Sequence, residues 1–179
     1  MTIGPSVVAV GFYLLSLPGL TNGAGDYFIS FFPGILAIGV GMGITVAPLT
    51  TTVMGAVAAQ HSGVASGINN AVTRSAQVLA NAIIGAVALL VFSANLNGRA
   101  VALGLQPQVQ QTLHNESVNL GNTKVPFELA PDEQAQVRTA IREAFVDTFR
   151  RVALVAAGLA LASAVASVAL ISKKLETVD

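Results

Sequence analysis

Between Met1 and Gly98 the chain carries two charged residues, Asp26 and Arg74; the other sixteen lie from Arg99 onward. In water a stretch of that length needs charge over much of its surface, and soluble domains carry roughly 25% charged residues. This chain has 10% charged and 53% hydrophobic residues. The first half is therefore expected to sit in a bilayer. There every backbone polar group must be satisfied within its own segment, so the expected fold is all-α: an integral membrane helical bundle. Formal net charge is zero, which gives no basis for nucleic-acid binding. The chain has no cysteine, which excludes disulfides and Cys-ligated metals.

The segment from Gly63 to Phe92 organises the rest. At helical spacing Gly63, Gly67, Asn70, Arg74, Gln77, Asn81 and Gly85 form one stripe, and Val64, Ile68, Val72, Leu79, Ile83 and Leu90 lie away from it. A helix with amides and glycines on one side and aliphatic groups on the other suits a membrane segment turning its polar side inward. The spacing predicts a long third span at 64–94. Arg74 is expected near one membrane surface, because a charge at the bilayer centre costs at least about 2.5–3.5 kcal/mol.

Three further spans are expected, at 4–20, 28–54 and 151–172. Pro5 suits the first turn of the first, and Pro18-Gly19 ends it. The second begins with Tyr27, Phe28, Phe31 and Phe32, an aromatic cluster of the kind found at membrane interfaces. Its Gly39, Gly43 and Ala47 are four apart, a small-residue face for helix packing. Gly39-x-Gly41-x-Gly43 lacks the spacing of a phosphate-binding loop. Pro48 should kink this span, with Thr45, Thr50, Thr51 and Thr52 able to satisfy nearby carbonyls. His61 falls in the short connection to the third span and reads as a solvated loop residue. In the last span Ala156, Ala160, Ser163 and Ser167 offer another small face, and Lys173-Lys174 closes it before a short tail, 173–179.

The domain organisation expected is three spans over 1–95, a polar loop over 96–150, the last span and the tail. Asn97-Gly98, Gly104, Pro107 and Gly121-Asn122 break the first part of the loop. Asn115-Glu116-Ser117 matches a glycosylation sequon too short to outweigh chance. Pro131-Asp132-Glu133 starts a helix over 131–150. Its apolar residues Val137, Ile141, Phe145, Phe149 and Val152 make it amphipathic, suited to the membrane interface. Lys173 and Lys174 favour a cytoplasmic C-terminus, whereas Arg138, Arg142, Arg150 and Arg151 favour a cytoplasmic loop. No catalytic constellation and no metal-ligand spacing stand out. The N-terminus lacks the basic region of a cleaved signal peptide.

Two runs carry a resemblance: GVGMGITVAPLTTTVMGAV, and HSGVASGINNAVTRSAQ with Gly63, Ala65, Ser66, Gly67, Asn70 and Arg74 in a G-x-A-S-G-x-x-N-x-x-x-R pattern. Together they resemble late helices of major facilitator superfamily exporters, the drug:proton antiporters of the EmrB/QacA type. The resemblance implies a multi-pass protein of the bacterial inner membrane that exports small molecules and draws on the proton gradient, with no other cofactor. It implies that Asn70, Arg74, Gln77 and Asn81 flank a substrate path. It also implies an extracytoplasmic 96–150 loop and a cytoplasmic tail. Such exporters have about fourteen helices in two pseudo-symmetric halves. Their antiporter motif and embedded acidic residues have no counterpart here. The chain is therefore expected to be the C-terminal portion of an exporter (a fragment, a truncated gene or a misplaced start), partnered by N-terminal helices it lacks. The alternative is a self-standing four-helix membrane protein that assembles with partners.

Overall fold

A computed structural model describes the chain except for Met1, Asn22, Ala56, Val57, Glu128 and residues 176–179. The described residues are mostly helical, with no strand among them. The helices are α1 (Ile3–Leu15), α2 (Tyr27–Ser30), α3 (Phe32–Gly55), α4 (Ser62–Ala102), α5 (Pro107–Glu116) and α6 (Pro131–Leu175), with short 3-10 turns at Ala24–Asp26, Ala59–His61 and Ser117–Asn122. They divide into two compact units, one of residues 1–18, 22–81 and 153–179, the other of 19–21 and 82–152. Helices α4 and α6 each contribute to both. Two helices, Ser62–Ala102 and Pro131–Ala169, are long and apolar enough to cross a membrane; α1 and the apolar part of α3, Phe32–Val46, are shorter.

In the first unit α1 and α3 pack antiparallel through glycines seven residues apart. A Cβ built on Gly41 would stand 2.7 Å from Val8 Cγ2 and 2.8 Å from the Gly4 carbonyl oxygen. One on Gly11 would stand 2.6 Å from Ile38 Cγ1 and 2.8 Å from the Gly34 carbonyl oxygen. Two backbones approach this closely only where neither helix carries a side chain at the crossing. The expected face was Gly39, Gly43 and Ala47, yet Gly39 and Gly43 have nothing within 4 Å of a built Cβ. The contact runs through Gly34 and Gly41 instead, because that heptad matches Gly4 and Gly11 on α1.

Helix α1 is shorter than the expected 4–20 span. Ser16 ends it: its N–H donates to the Phe12 and Tyr13 carbonyls at 3.1 and 3.0 Å, and its hydroxyl donates to the Tyr13 carbonyl at 2.6 Å. Pro18 then disfavours helical geometry at Leu17. Pro48 lies inside α3 without ending it. The hydroxyls of Thr51 and Thr52 donate to the Pro48 carbonyl at 3.0 and 2.8 Å, and that of Thr45 to the Gly41 carbonyl at 2.7 Å. The aromatic cluster stays outside any core. Tyr27 and Phe28 meet edge-on at 5.6 Å and Phe28 and Phe32 at 5.8 Å, while all three rings remain exposed.

The second unit holds a buried hydrophobic core. Phe92, Leu96 and Ala100 of α4, Leu105, Leu113 of α5, and Val137, Ile141 and Ala144 of α6 form one buried cluster. This core carries α4 straight through Asn97-Gly98, where the sequence suggested a turn, as far as Ala102. The helix stops at Gly104, whose φ of +66° costs a glycine little. The Leu105 N–H donates to the Ala100 carbonyl at 3.3 Å and the Gly104 N–H to the Val101 carbonyl at 3.0 Å. With buried Leu105 beside buried Ala100, this is a Schellman cap.

At the start of α6 Pro131 fixes the first turn and Glu133 reaches back, accepting the Ala130 N–H at 3.3 Å. The helix then runs unbroken to Leu175, with no separation at residue 150. Its buried stripe is Val137, Ala140, Ile141, Ala144 and Thr148, continuing to Ala153, Ala157 and Ala164. Phe145 and Phe149, expected on that stripe, remain 42% and 38% exposed. Alanine and threonine at 144 and 148 keep the packed surface narrow, so the bulky rings project beside it.

Candidate functional site

Asn70, Arg74, Gln77 and Asn81 all fall on α4, a continuous helix. At 100° per residue they occupy an arc of about 60°. Every residue from Asn70 to Ile83 is exposed, so both faces of this stretch are uncovered. The opposite face presents Val72, Leu79 and Ile83, each more than 60% exposed. Gly63, Gly67 and Gly85 are likewise open, with nothing within 4 Å of a built Cβ. Apolar side chains held out at this density need lipid or protein against them.

Further along the same helix, Arg99 joins α4 to α6 within the second unit. Its guanidinium donates to Glu143 Oε2 through Nη1 and to Asp147 Oδ2 through Nη2, the second at 2.8 Å. Glu143 and Asp147 are one turn apart on α6, so the planar fork of a single arginine spans both carboxylates. All three side chains are about one-third exposed or more, 33%, 38% and 40%. The cluster therefore fixes the register of α4 against α6 in this unit more than it stabilises it.

One turn back on α4, Ser93 and Asn97 meet His114 of α5. Asn97 Nδ2 lies 2.9 Å and Ser93 Oγ 3.3 Å from His114 Nδ1. The amide nitrogen can only donate, so Nδ1 is the acceptor in that contact. Both contacts are thus spent on one ring nitrogen, which ties α5 to the hairpin. Asn95 Nδ2, on the intervening turn, is buried with no hydrogen-bond partner among the described residues.

Residues 106–138 of the second unit enclose a cleft of about 760 Å³. Val109, Val125 and Leu129, packed against the core, form its apolar side. Glu116, Glu133, Lys124 and Arg138 supply its charges. The backbone beneath is constrained: Leu120 has a φ of +50°, unusual for a branched side chain, and the Thr123 hydroxyl donates to the Leu120 carbonyl at 2.6 Å.

Compared with known protein families, curated proteins and solved structures, the chain matches none. Of the residues expected to carry function, the four of the stripe share one face of one helix. The Arg99 cluster, the His114 contacts and the cleft were not anticipated. Glu143 and Asp147 were visible as an i, i+4 pair, but nothing in the spacing joined them to Arg99, which is 44 residues from Glu143.

Proposed function

We propose that this chain is the C-terminal, membrane-embedded part of a proton-coupled exporter of small molecules, and that the stripe Asn70–Arg74–Gln77–Asn81 faces the substrate path. The observation that carries the reading is the uncovered stretch of α4, with amides on one side and Val72, Leu79 and Ile83 on the other. Lipid suits the aliphatic side. Amides in an otherwise apolar setting need partners, and a water-filled path between helices supplies them. Arg74 stands at the mouth of that path, where its guanidinium reaches polar headgroups.

In this reading α1 and α3 are the first two of four spans, α4 the third and the C-terminal part of α6 the fourth. At 1.5 Å per residue α1 covers about 20 Å of a hydrocarbon core of about 30 Å, a shortfall that a locally thinned bilayer accommodates. Both termini are cytoplasmic, and the hairpin over 96–150 is the extracytoplasmic cap. The proton gradient drives transport in the assembled exporter. The chain itself performs no covalent chemistry.

Replacing Gln77 or Asn81 with leucine in the assembled exporter tests the path. Resistance of cells to a panel of exported compounds should change severalfold and unequally, at unchanged protein level. An unchanged profile would remove the stripe from the path. The orientation has its own test, because the chain has no cysteine. A cysteine at Gln108 should react with an impermeant reagent in intact cells and one at Lys174 should not; the opposite pattern inverts the topology.

A further inference from the structure

The cleft over residues 106–138 points to a ligand, and we infer that it binds the anionic head and first carbons of an amphiphile. Its volume, about 760 Å³, lies within the range of small-molecule sites. Val109, Val125 and Leu129 offer an apolar wall, and Phe127 stands over it 88% exposed. An exposed ring beside an aliphatic wall favours a ligand with a hydrocarbon part.

The charges select the other end of that ligand. Glu116 Oε2 accepts the Asn119 side-chain N–H at 3.0 Å, and Glu133 Oε2 accepts the Ala130 N–H at 3.3 Å. Each carboxylate thus has a near-neighbour donor, a side-chain amide for Glu116 and a backbone N–H for Glu133. Lys124 and Arg138 line the same cleft and make no hydrogen bond or ion pair among the described residues. Two uncommitted cations facing one cavity attract a carboxylate or phosphate, and a guanidinium can hold either with two parallel hydrogen bonds. A cationic amphiphile would meet Lys124 and Arg138 in the same cleft. The inference does not rest on transport, because the site lies wholly within the second unit.

The chain has no tryptophan, so Phe127→Trp gives a single reporter at the cleft. In the full chain, held in phosphatidylcholine nanodiscs, decanoate should cause a saturable fluorescence change and decyltrimethylammonium should not. Lys124→Gln and Arg138→Gln, both at exposed positions, should each weaken decanoate at least tenfold at unchanged helix content by circular dichroism, and Lys124→Arg should retain binding. Equal response to the cation, or variants within twofold of the parent, would overturn the inference. Phosphatidylglycerol in the discs distinguishes the sources. A tenfold rise in the apparent Kd for decanoate identifies a lipid head from the adjacent leaflet as occupant, and an unchanged Kd identifies an amphiphile arriving from water. Either result upholds an anionic amphiphile.

Discussion

Gly41→Leu is expected to separate α1 from α3. A Cβ at this position already stands 2.7–2.8 Å from Val8 and the Gly4 carbonyl oxygen, and leucine adds three more carbons. Neither neighbour can yield, since one is backbone and the other a stiff β-branched side chain. Overpacking of this kind costs about 1–3 kcal/mol, and the backbone contact puts Gly41 at the upper end. Spin labels at Val10 and Leu36, both exposed, read the result as a distance distribution. The parent should give one narrow peak, and Gly41→Leu a broadened peak shifted outward by several ångströms. Gly39→Leu and Gly43→Leu should leave the peak in place, because nothing lies within 4 Å of either position. If all three behaved alike, the glycine heptad would not be the contact.

The second large effect concerns transport itself. Purified alone into vesicles with an imposed pH gradient, the 179-residue chain should show no gradient-driven uptake. Alternating access requires two bundles moving about a site near the midplane, and the four spans proposed above would supply part of one. Proton coupling needs a group in the pathway that gains and loses a proton. Between Met1 and Asn95 the chain has no glutamate, and its one aspartate, Asp26, ends a 3-10 turn. Arg74 cannot take this part, since a guanidinium stays protonated at any relevant pH. Uptake abolished by a protonophore would mean that the chain is a complete small transporter, contrary to the reading proposed above.

The helical class and the polar stripe were legible because both rest on periodicity. Asn70, Arg74, Gln77 and Asn81 are three or four apart, and a helix of any environment puts such residues on one face. The start of α6 was legible for a local reason too: Pro131, Asp132 and Glu133 act within a single turn. Features that depend on a distant partner were not. Asn97-Gly98 favours a turn by itself, yet Leu96, Arg99 and Ala100 on either side are held against α6, and those contacts override it. The choice of Gly34 and Gly41 over Gly39 and Gly43 was set by where α1 carries its own glycines. Phe145 and Phe149 carried the apolar periodicity of α6, but α4 packs where Ala144 leaves room. The cleft depends on α5, the loop over 123–129 and the start of α6 meeting, which no local spacing encodes.

The central claim is that α4 crosses a bilayer with its amide side turned away from lipid. Spin labels introduced singly at each position from Val72 to Leu90, in proteoliposomes, measure it through relaxation by oxygen, which concentrates in lipid, and by a water-soluble nickel complex. The account predicts oxygen accessibility with a period of about 3.6 residues, high at Val72, Leu79, Ile83 and Leu90 and low at Gln77 and Asn81. High nickel accessibility at all of these positions, with no periodicity, would contradict it.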